Sequence, residues 1–229
     1  MDRIELPFAT LDLFPTRWPA PHAVPKYNET FQFWHTIWEQ TFAELKNQRK
    51  LYSDDFFRMD EILALSSAGK VVGCFLFGWY DLRIDSHRYH SYFSAYPEEL
   101  MHMLQSSTSG IVMSMGYLAV APEWRKSKVG VLVSEALLGL ACKRFIASGA
   151  SHLIAYTRND RKINDLCYRY GARCAYSNRR EHNVSVDIVL MERPDVRFSQ
   201  DKNVRTFVDE LWLRRAYHVS TPVHQESAA

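Results

Sequence analysis

The run Val71–Tyr80 (VVGCFLFGWY) contains no charged side chain. A strand with one face in water alternates apolar and polar residues, so this unbroken run predicts a central strand that is buried on both faces. The preceding run, Glu61–Leu65, predicts a second strand, and 66–69 (SSAG) between the two runs has the composition of a hairpin turn. A sheet whose middle strands are covered on both sides is therefore expected.

Helical and extended patterns alternate along the rest of the chain. Helices are predicted over 28–50, 98–104, 131–147 and 161–170, and further strands over 110–120, 151–157, 174–177 and 184–191. This order predicts the α+β class, with a mixed sheet and one βαβ-like unit.

The ends of the chain differ in composition from its middle. A Pro-rich arm over 1–26, with one strand near Ile4–Leu13, is expected to precede a domain over 27–195. An amphipathic helix and a disordered tail are expected over 196–229, and the helix either packs on the domain or meets a partner.

Composition excludes several classes of protein. The net charge of +2 over 229 residues gives no signal for nucleic-acid binding. The four cysteines lack a C-x-x-C spacing, which favours reduced thiols over a zinc site or disulfides, and no metal is expected. No secretory signal or membrane-length apolar run is present, which favours the cytoplasm.

The segment 116–130 (GYLAVAPEWRKSKVG) combines a strand end, a basic loop and a helix start. Unpaired N–H groups and the partial positive charge at a helix start favour a bound phosphate. Arg125, Lys126 and Lys128 add full charges, and Gly130 allows close approach of a ligand. A solvated loop is the alternative on chemistry alone, and neither a P-loop nor a dinucleotide-binding fingerprint is present.

The pattern Leu118-x-Val120-x-Pro122-x-x-Arg125-x-x-x-x-Gly130 resembles the acyl-CoA signature of the GNAT acyltransferases, although Lys128 stands at the first glycine of that signature. The segment 159–172 (NDRKINDLCYRYGA) resembles a second motif of the family, N-x-x-A-x-x-L-Y-x-x-x-G-F, with an offset of one residue. The resemblance covers about 28–192. It implies a three-layer α/β/α fold with a mixed, mostly antiparallel sheet.

By this resemblance, the backbone at the end of the third strand pairs with the pantetheine amides, and the loop holds the pyrophosphate. The residues implied in acyl-CoA binding are Leu118, Ala119, Val120, Arg125, Lys126, Ser127, Lys128, Val129, Gly130, Val131, Asn159 and Asn164.

The residues considered for catalysis are Cys167, Tyr168, Tyr170 and Ser114. Cys167 occupies the family's usual position for the acid that protonates the leaving thiolate, and Tyr168 or Tyr170 could replace it. Cys167 also falls on an apolar helical stripe, so a core position is the alternative. Ser114 could hold a water molecule. His87, His90 and His102 are expected at the surface or in an acceptor pocket, and His182 at an exposed hairpin turn.

The function implied is transfer of an acyl group, with acetyl as the first candidate, from acyl-CoA to a primary amine of a small molecule, an amino acid or a protein. A long-chain N-acyl amino acid or acyl-homoserine-lactone-type synthase, which uses acyl carrier protein or acyl-CoA, is one alternative. A non-catalytic acyl-CoA-binding module and an unrelated α+β domain are others, and a homodimer remains open.

Overall fold

The computed structural model describes residues 8–47, 49–107, 109–125 and 132–218. The strands are β1 (Thr10–Pro15), β2 (Glu61–Ser67), β3 (Lys70–Asp81), β4 (Ile111–Val120), β5 (His152–Arg158), β6 (Arg173–Glu181), β7 (Val184–Glu192) and β8 (Ala216–Tyr217). The α-helices are α1 (Val24–Glu44), α2 (Asp54–Phe57), α3 (Asp85–Arg88), α4 (Glu98–Gln105), α5 (Val133–Ser148), α6 (Ile163–Arg169) and α7 (Lys202–Leu213). Within these ranges, no helix combines the length and the hydropathy that crossing a bilayer requires.

Across the described part of the chain the strands form one mixed sheet in the order β6-β7-β5-β4-β3-β2-β1-β8. The pairs β4–β5 and β1–β8 are parallel, and the other neighbours are antiparallel. Every residue of β2 and most of β3 are buried. The prediction of central strands covered on both faces is confirmed.

Helices cover the sheet on both faces, which gives three layers. On one face α5 and α7 contribute Leu137, Phe145 and Val208 to a core shared with alternate residues of β2 and β3. On the opposite face Trp34 and Ile37 of α1 pack with the other set of alternate strand residues. A third apolar cluster lies where α4 covers the ends of the strands.

Several boundaries differ from those predicted. Helix α1 begins at Val24, because Pro25 lies in the first turn, where its missing N–H costs no hydrogen bond. The hairpin strands are longer than expected, and the turn is reduced to His182 and Asn183, which both have positive φ (47° and 64°). The amphipathic helix of the C-terminal segment, α7, packs on the domain.

Candidate functional site

The parallel strands β4 and β5 pair at Val112–Ser114 and His152–Ile154. Beyond Ser114 no residue of β4 pairs with β5. On their other edges, β4 remains paired with β3 and β5 remains paired with β7. Among the described residues, no strand fills the gap between them. The C-terminal half of β4 therefore presents an unpaired edge inside the sheet, and such an edge is a template for an added extended chain.

Tyr117 marks an irregularity in this half of β4. Its φ is 55°, which is uncommon for a residue other than glycine, and the register with β3 shifts between Cys74 and Leu76. Such bulges bend a strand and redirect its side chains. The ring of Tyr117 packs edge-on against Trp34 and Trp38 of α1, at centroid distances of 5.6 and 5.1 Å.

A cavity of about 390 Å³ opens beside this bulge. Its aromatic lining comes from α1, the end of β3, the 90–95 connection, β4 and β5. The aromatic residues of the lining are Trp38, Tyr80, Tyr92, Tyr117 and Tyr156. Met115 and Gly116 place the β4 backbone in the wall. The volume and the mostly apolar lining are typical of a site for a small organic ligand.

A charged network closes one side of the cavity. The guanidinium groups of Arg49 and Arg58 both form ion pairs with Asp55, whose side chain is 5% exposed. Arg58 also donates to the hydroxyl of Tyr117 at 2.8 Å, and that hydroxyl donates to Asp55 at 3.1 Å. The network ties the connection after α1 to the bulge in β4.

Two histidines line the same cavity, His90 and His182. Burial lowers the pKa of both rings, and the positive charges of Arg58 and Arg49, respectively, lower it further. In each ring Nδ1 accepts a hydrogen bond, so the neutral ring carries its proton on Nε2. The prediction of an exposed His182 is wrong, because its ring packs against Phe42 of α1 at 5.1 Å.

Three of the residues predicted from the sequence meet at Asp187, a carboxylate that is 6% exposed. Its side chain accepts hydrogen bonds from Asn159 (2.9 Å), Asn164 (3.1 Å) and Tyr168 (2.7 Å), and from the N–H of Asn178 (3.0 Å). Burial raises the pKa of Asp187, but these hydrogen bonds outweigh it and hold the pKa below its ordinary value.

The amide groups of Asn159 and Asn164 face Asp187 with their nitrogens, which leaves their carbonyl oxygens for another partner. Both oxygens are buried and accept no hydrogen bond from the described residues. A buried acceptor without a donor is costly, so such groups mark places where a ligand or water supplies the donor. Arg158 and Val186, the strand neighbours of Asn159 and Asp187, line the cavity.

The other catalytic candidates lie elsewhere. Cys167 is 1% exposed among the core residues of α6, and burial raises the pKa of its thiol to about 12. Tyr170 is equally buried, and its hydroxyl donates to the carbonyl of Glu135 at 3.1 Å. Ser114 is fully buried at the last β4–β5 pair, close to Tyr80, whose pKa burial raises to about 12.

Of the residues implied in acyl-CoA binding, Leu118, Ala119 and Val120 lie on the diverging half of β4. Arg125 follows that strand, and its Nε donates to the carbonyl of Val120 at 3.0 Å. The remaining loop residues, Lys126–Val131, lie outside the described residues.

This architecture has the three layers and the mixed, mostly antiparallel sheet that the resemblance to the GNAT acyltransferases implies. No family model and no curated protein matches the chain by sequence. The likeness is to solved structures, and at the identities involved it establishes the fold alone.

Two solved structures represent the likeness. One is FeeM, an N-acyl amino acid synthase from uncultured soil microbes, with a TM-score of 0.57 and 10% identity over 83% of this chain and 94% of FeeM. The other is BjaI, a CoA-dependent acyl-homoserine lactone synthase solved with SAM and isopentyl-CoA, with a TM-score of 0.56 and 12% identity over 89% of each chain.

The sequence interpretation assigned no role to four polar residues of the site, Arg49, Asp55, Arg58 and Asp187. Asp187 did leave a signal, because it is the one charged residue in the apolar run 184–191 (VSVDIVLM), and a charge in a buried strand needs partners. The other three belong to the polar connection between α1 and β2.

Proposed function

We propose that this protein is an N-acyltransferase that moves an acyl group from a CoA thioester to a primary amine. The observation that carries the proposal is the unpaired edge of β4 beyond Ser114, which runs directly along a cavity of about 390 Å³. Pantetheine is an extended chain with amide groups, so it can add to such an edge as a peptide strand does. Leu118–Val120 would supply the backbone partners.

The polar cluster formed by Asn159, Asn164, Tyr168 and Asp187 would contact pantetheine from the side opposite β4. The unpartnered carbonyl oxygens of Asn159 and Asn164 are suited to accept the N–H groups of pantetheine. Asp187 fixes both amides by holding their nitrogens. Arg125 and the basic residues that follow it would neutralise the pyrophosphate at the start of α5.

In the proposed reaction, the amine nitrogen attacks the thioester carbonyl, a C–N bond forms and the C–S bond breaks. The nitrogen loses one proton, and the sulfur gains one. The chain's main contribution is to hold the two reactants in contact in a site from which much water is excluded. Cys167 and Tyr170 lie in the core, and the Tyr168 hydroxyl donates to Asp187. Burial and this hydrogen bond raise the pKa of Tyr168, so we propose a positioning role for it instead of that of the acid.

The length of the acyl group separates two versions of the proposal. Acetyl is the group first indicated by the sequence. A longer acyl group is favoured by the aromatic walls of the cavity, and both FeeM and BjaI are synthases of acylated products.

The described cysteines are all unpaired, which agrees with a reducing compartment such as the cytoplasm.

Release of free CoA thiol tests the proposal. The protein is incubated with acetyl-, isovaleryl- and octanoyl-CoA and a panel of primary amines and amino acids, and thiol is measured by a colour reaction. We expect amine-dependent thiol release with at least one donor. Binding of acyl-CoA without amine-dependent thiol release for any donor would contradict the proposal and leave a binding module.

Gly116 offers a matched pair of variants. Its backbone suits any residue, and a Cβ at this position would meet only the Met59 methyl group at 3.8 Å, so Gly116→Ala should fold and retain activity. Gly116→Leu should fold as well but fill the cavity beside the β4 edge, and we expect it to lose at least about 100-fold in kcat/KM. Equal activity of the two variants would place the reaction elsewhere.

A further inference from the structure

Arg49 and Arg58 share a single carboxylate. Both pair through Nη2 with the same oxygen of Asp55, whose other oxygen faces the N–H of Tyr52 at 3.4 Å. Two permanent positive charges therefore meet one negative charge. Asp55 is almost fully buried, whereas each arginine side chain is a little over one third exposed and lines the cavity.

Most hydrogen-bond donors of these two guanidinium groups remain free. Nη2 of Arg49 and of Arg58 makes the bonds to Asp55, and Nη2 of Arg58 also bonds Tyr117. Among the described residues, Nε and Nη1 of both side chains have no hydrogen-bond partner. A guanidinium carries five N–H donors in a planar fork that matches the two oxygens of a carboxylate.

The other charged groups of the cavity lining have partners of their own. Arg158 forms a two-point pair with Asp160, at 3.0 and 2.7 Å. Glu181 pairs with Arg179 at 3.2 Å. Burial lowers the pKa of both histidine rings, which favours their neutral forms. The surplus charge in the cavity wall is therefore positive, and it lies at Arg49 and Arg58.

We propose that the acceptor is an amino acid, or an amine with a carboxylate of the same kind, and that Arg49 and Arg58 bind this carboxylate. The inference rests on the proposed function and names the substrate class of that site. Arg58 donates to the hydroxyl of Tyr117, which lies on β4 where the strand edge opens. A carboxylate bound there places an amine a few bonds away beside the β4 backbone, where the thioester would lie.

The test compares acceptors that differ in the carboxylate. L-Phenylalanine is paired with phenethylamine and L-leucine with isoamylamine, and kcat/KM for thiol release is measured with the best acyl-CoA. We expect the amino acid of a productive pair to be favoured by about 10- to 100-fold, as a charge-assisted hydrogen-bonded contact would give. The triple variant Arg49→Met/Asp55→Asn/Arg58→Met, which removes both guanidinium groups and the carboxylate that they share, should reduce that preference to about one. Arg214→Met, at an exposed residue that directly follows α7, should preserve it.

A second readout needs neither turnover nor CoA. N-acetyl and N-octanoyl amino acids should raise the melting temperature of the wild-type protein more than the matched N-acyl amines do. If acyl-CoA raises the melting temperature but neither readout shows a preference for ligands with a carboxylate, the inference is overturned and the acyltransferase proposal stands. A preference for carboxylates without any acyl-CoA effect would overturn the acyltransferase proposal and support the carboxylate site.

Discussion

Tyr168 donates a hydrogen bond of 2.7 Å to Oδ2 of Asp187, and with it α6 is fixed to the middle of β7. The carboxylate is buried and accepts further hydrogen bonds from two asparagine side chains. Its charge is stabilised by these donors, and each donor is oriented by the charge. Asp187 therefore organises the polar side of the candidate acyl-CoA site.

Loss of this hydrogen bond should be visible in stability. Tyr168→Phe removes one donor to a buried charge, and we expect the free energy of unfolding at pH 7 to fall by about 1–3 kcal/mol. Urea denaturation measures the change. A variant as stable as the wild type would show that the bond contributes nothing to the fold.

The contribution of Asp187 should depend on pH in a defined direction. Its folded-state pKa is below the ordinary value, so the folded protein binds fewer protons than the unfolded chain as the pH falls. The stabilisation is complete well above the unfolded pKa of about 3.9 and is lost as the pH falls through the folded pKa. The stability difference between wild type and Asp187→Asn should therefore shrink between pH 6 and pH 3. A difference that is constant over this range would contradict the lowered pKa.

A buried ion pair links α5 to the start of β2. Arg144 donates to both oxygens of Glu61, at 2.6 and 3.0 Å, and Glu61 is 6% exposed. Removal of one partner leaves a buried charge unpaired, so Arg144→Met should cost about 3–5 kcal/mol. The exposed pair of Arg161 and Glu44 is a matched control, and Arg161→Met should cost at most about 1 kcal/mol. Similar losses in the two variants would refute the distinction.

Two glycines with positive φ allow the cost of backbone strain to be measured separately from the cost of a steric clash. A Cβ at Gly171 (φ 100°) would lie 1.8 Å from the carbonyl oxygen of Asp195, whereas a Cβ at Gly69 (φ 79°) meets no atom within 4 Å. Gly69→Ala should cost about 1–2 kcal/mol from backbone strain alone. Gly171→Ala should cost at least about 3 kcal/mol, because the 193–197 segment must also move. Thermal unfolding of both variants checks the order.

The fold could be predicted from the sequence because its signals are local. The apolar run of β3 and the helical pattern over 131–147 each report on neighbouring residues, and the structure confirms both, with Gly149 in the left-handed conformation at the end of α5. The limits of α1 were harder to predict, because Pro25 is compatible with the first turn of a helix as well as with an extended arm.

The site was predictable on one side only. Asn159, Asn164 and Tyr168 belong to a short motif, so resemblance could point to them. The cavity depends on partners far apart in the chain: Arg58 meets Tyr117 of β4, and His182 of the β6–β7 turn packs on Phe42 of α1. Such long-range contacts follow from the topology of the sheet and leave no periodic pattern in the sequence.

Acyl-CoA binding is the central claim, and the melting temperature of the protein measures it most directly. A ligand that binds the folded state at 100 times its Kd stabilises it by about 2.7 kcal/mol, which for a chain of this size corresponds to about 5–10 °C. We expect such a rise with acetyl-, isovaleryl- or octanoyl-CoA, a smaller one in Arg125→Ala and Gly130→Asp, and the full rise in Arg214→Ala. No change in melting temperature with millimolar acyl-CoA of any of these lengths would contradict the account.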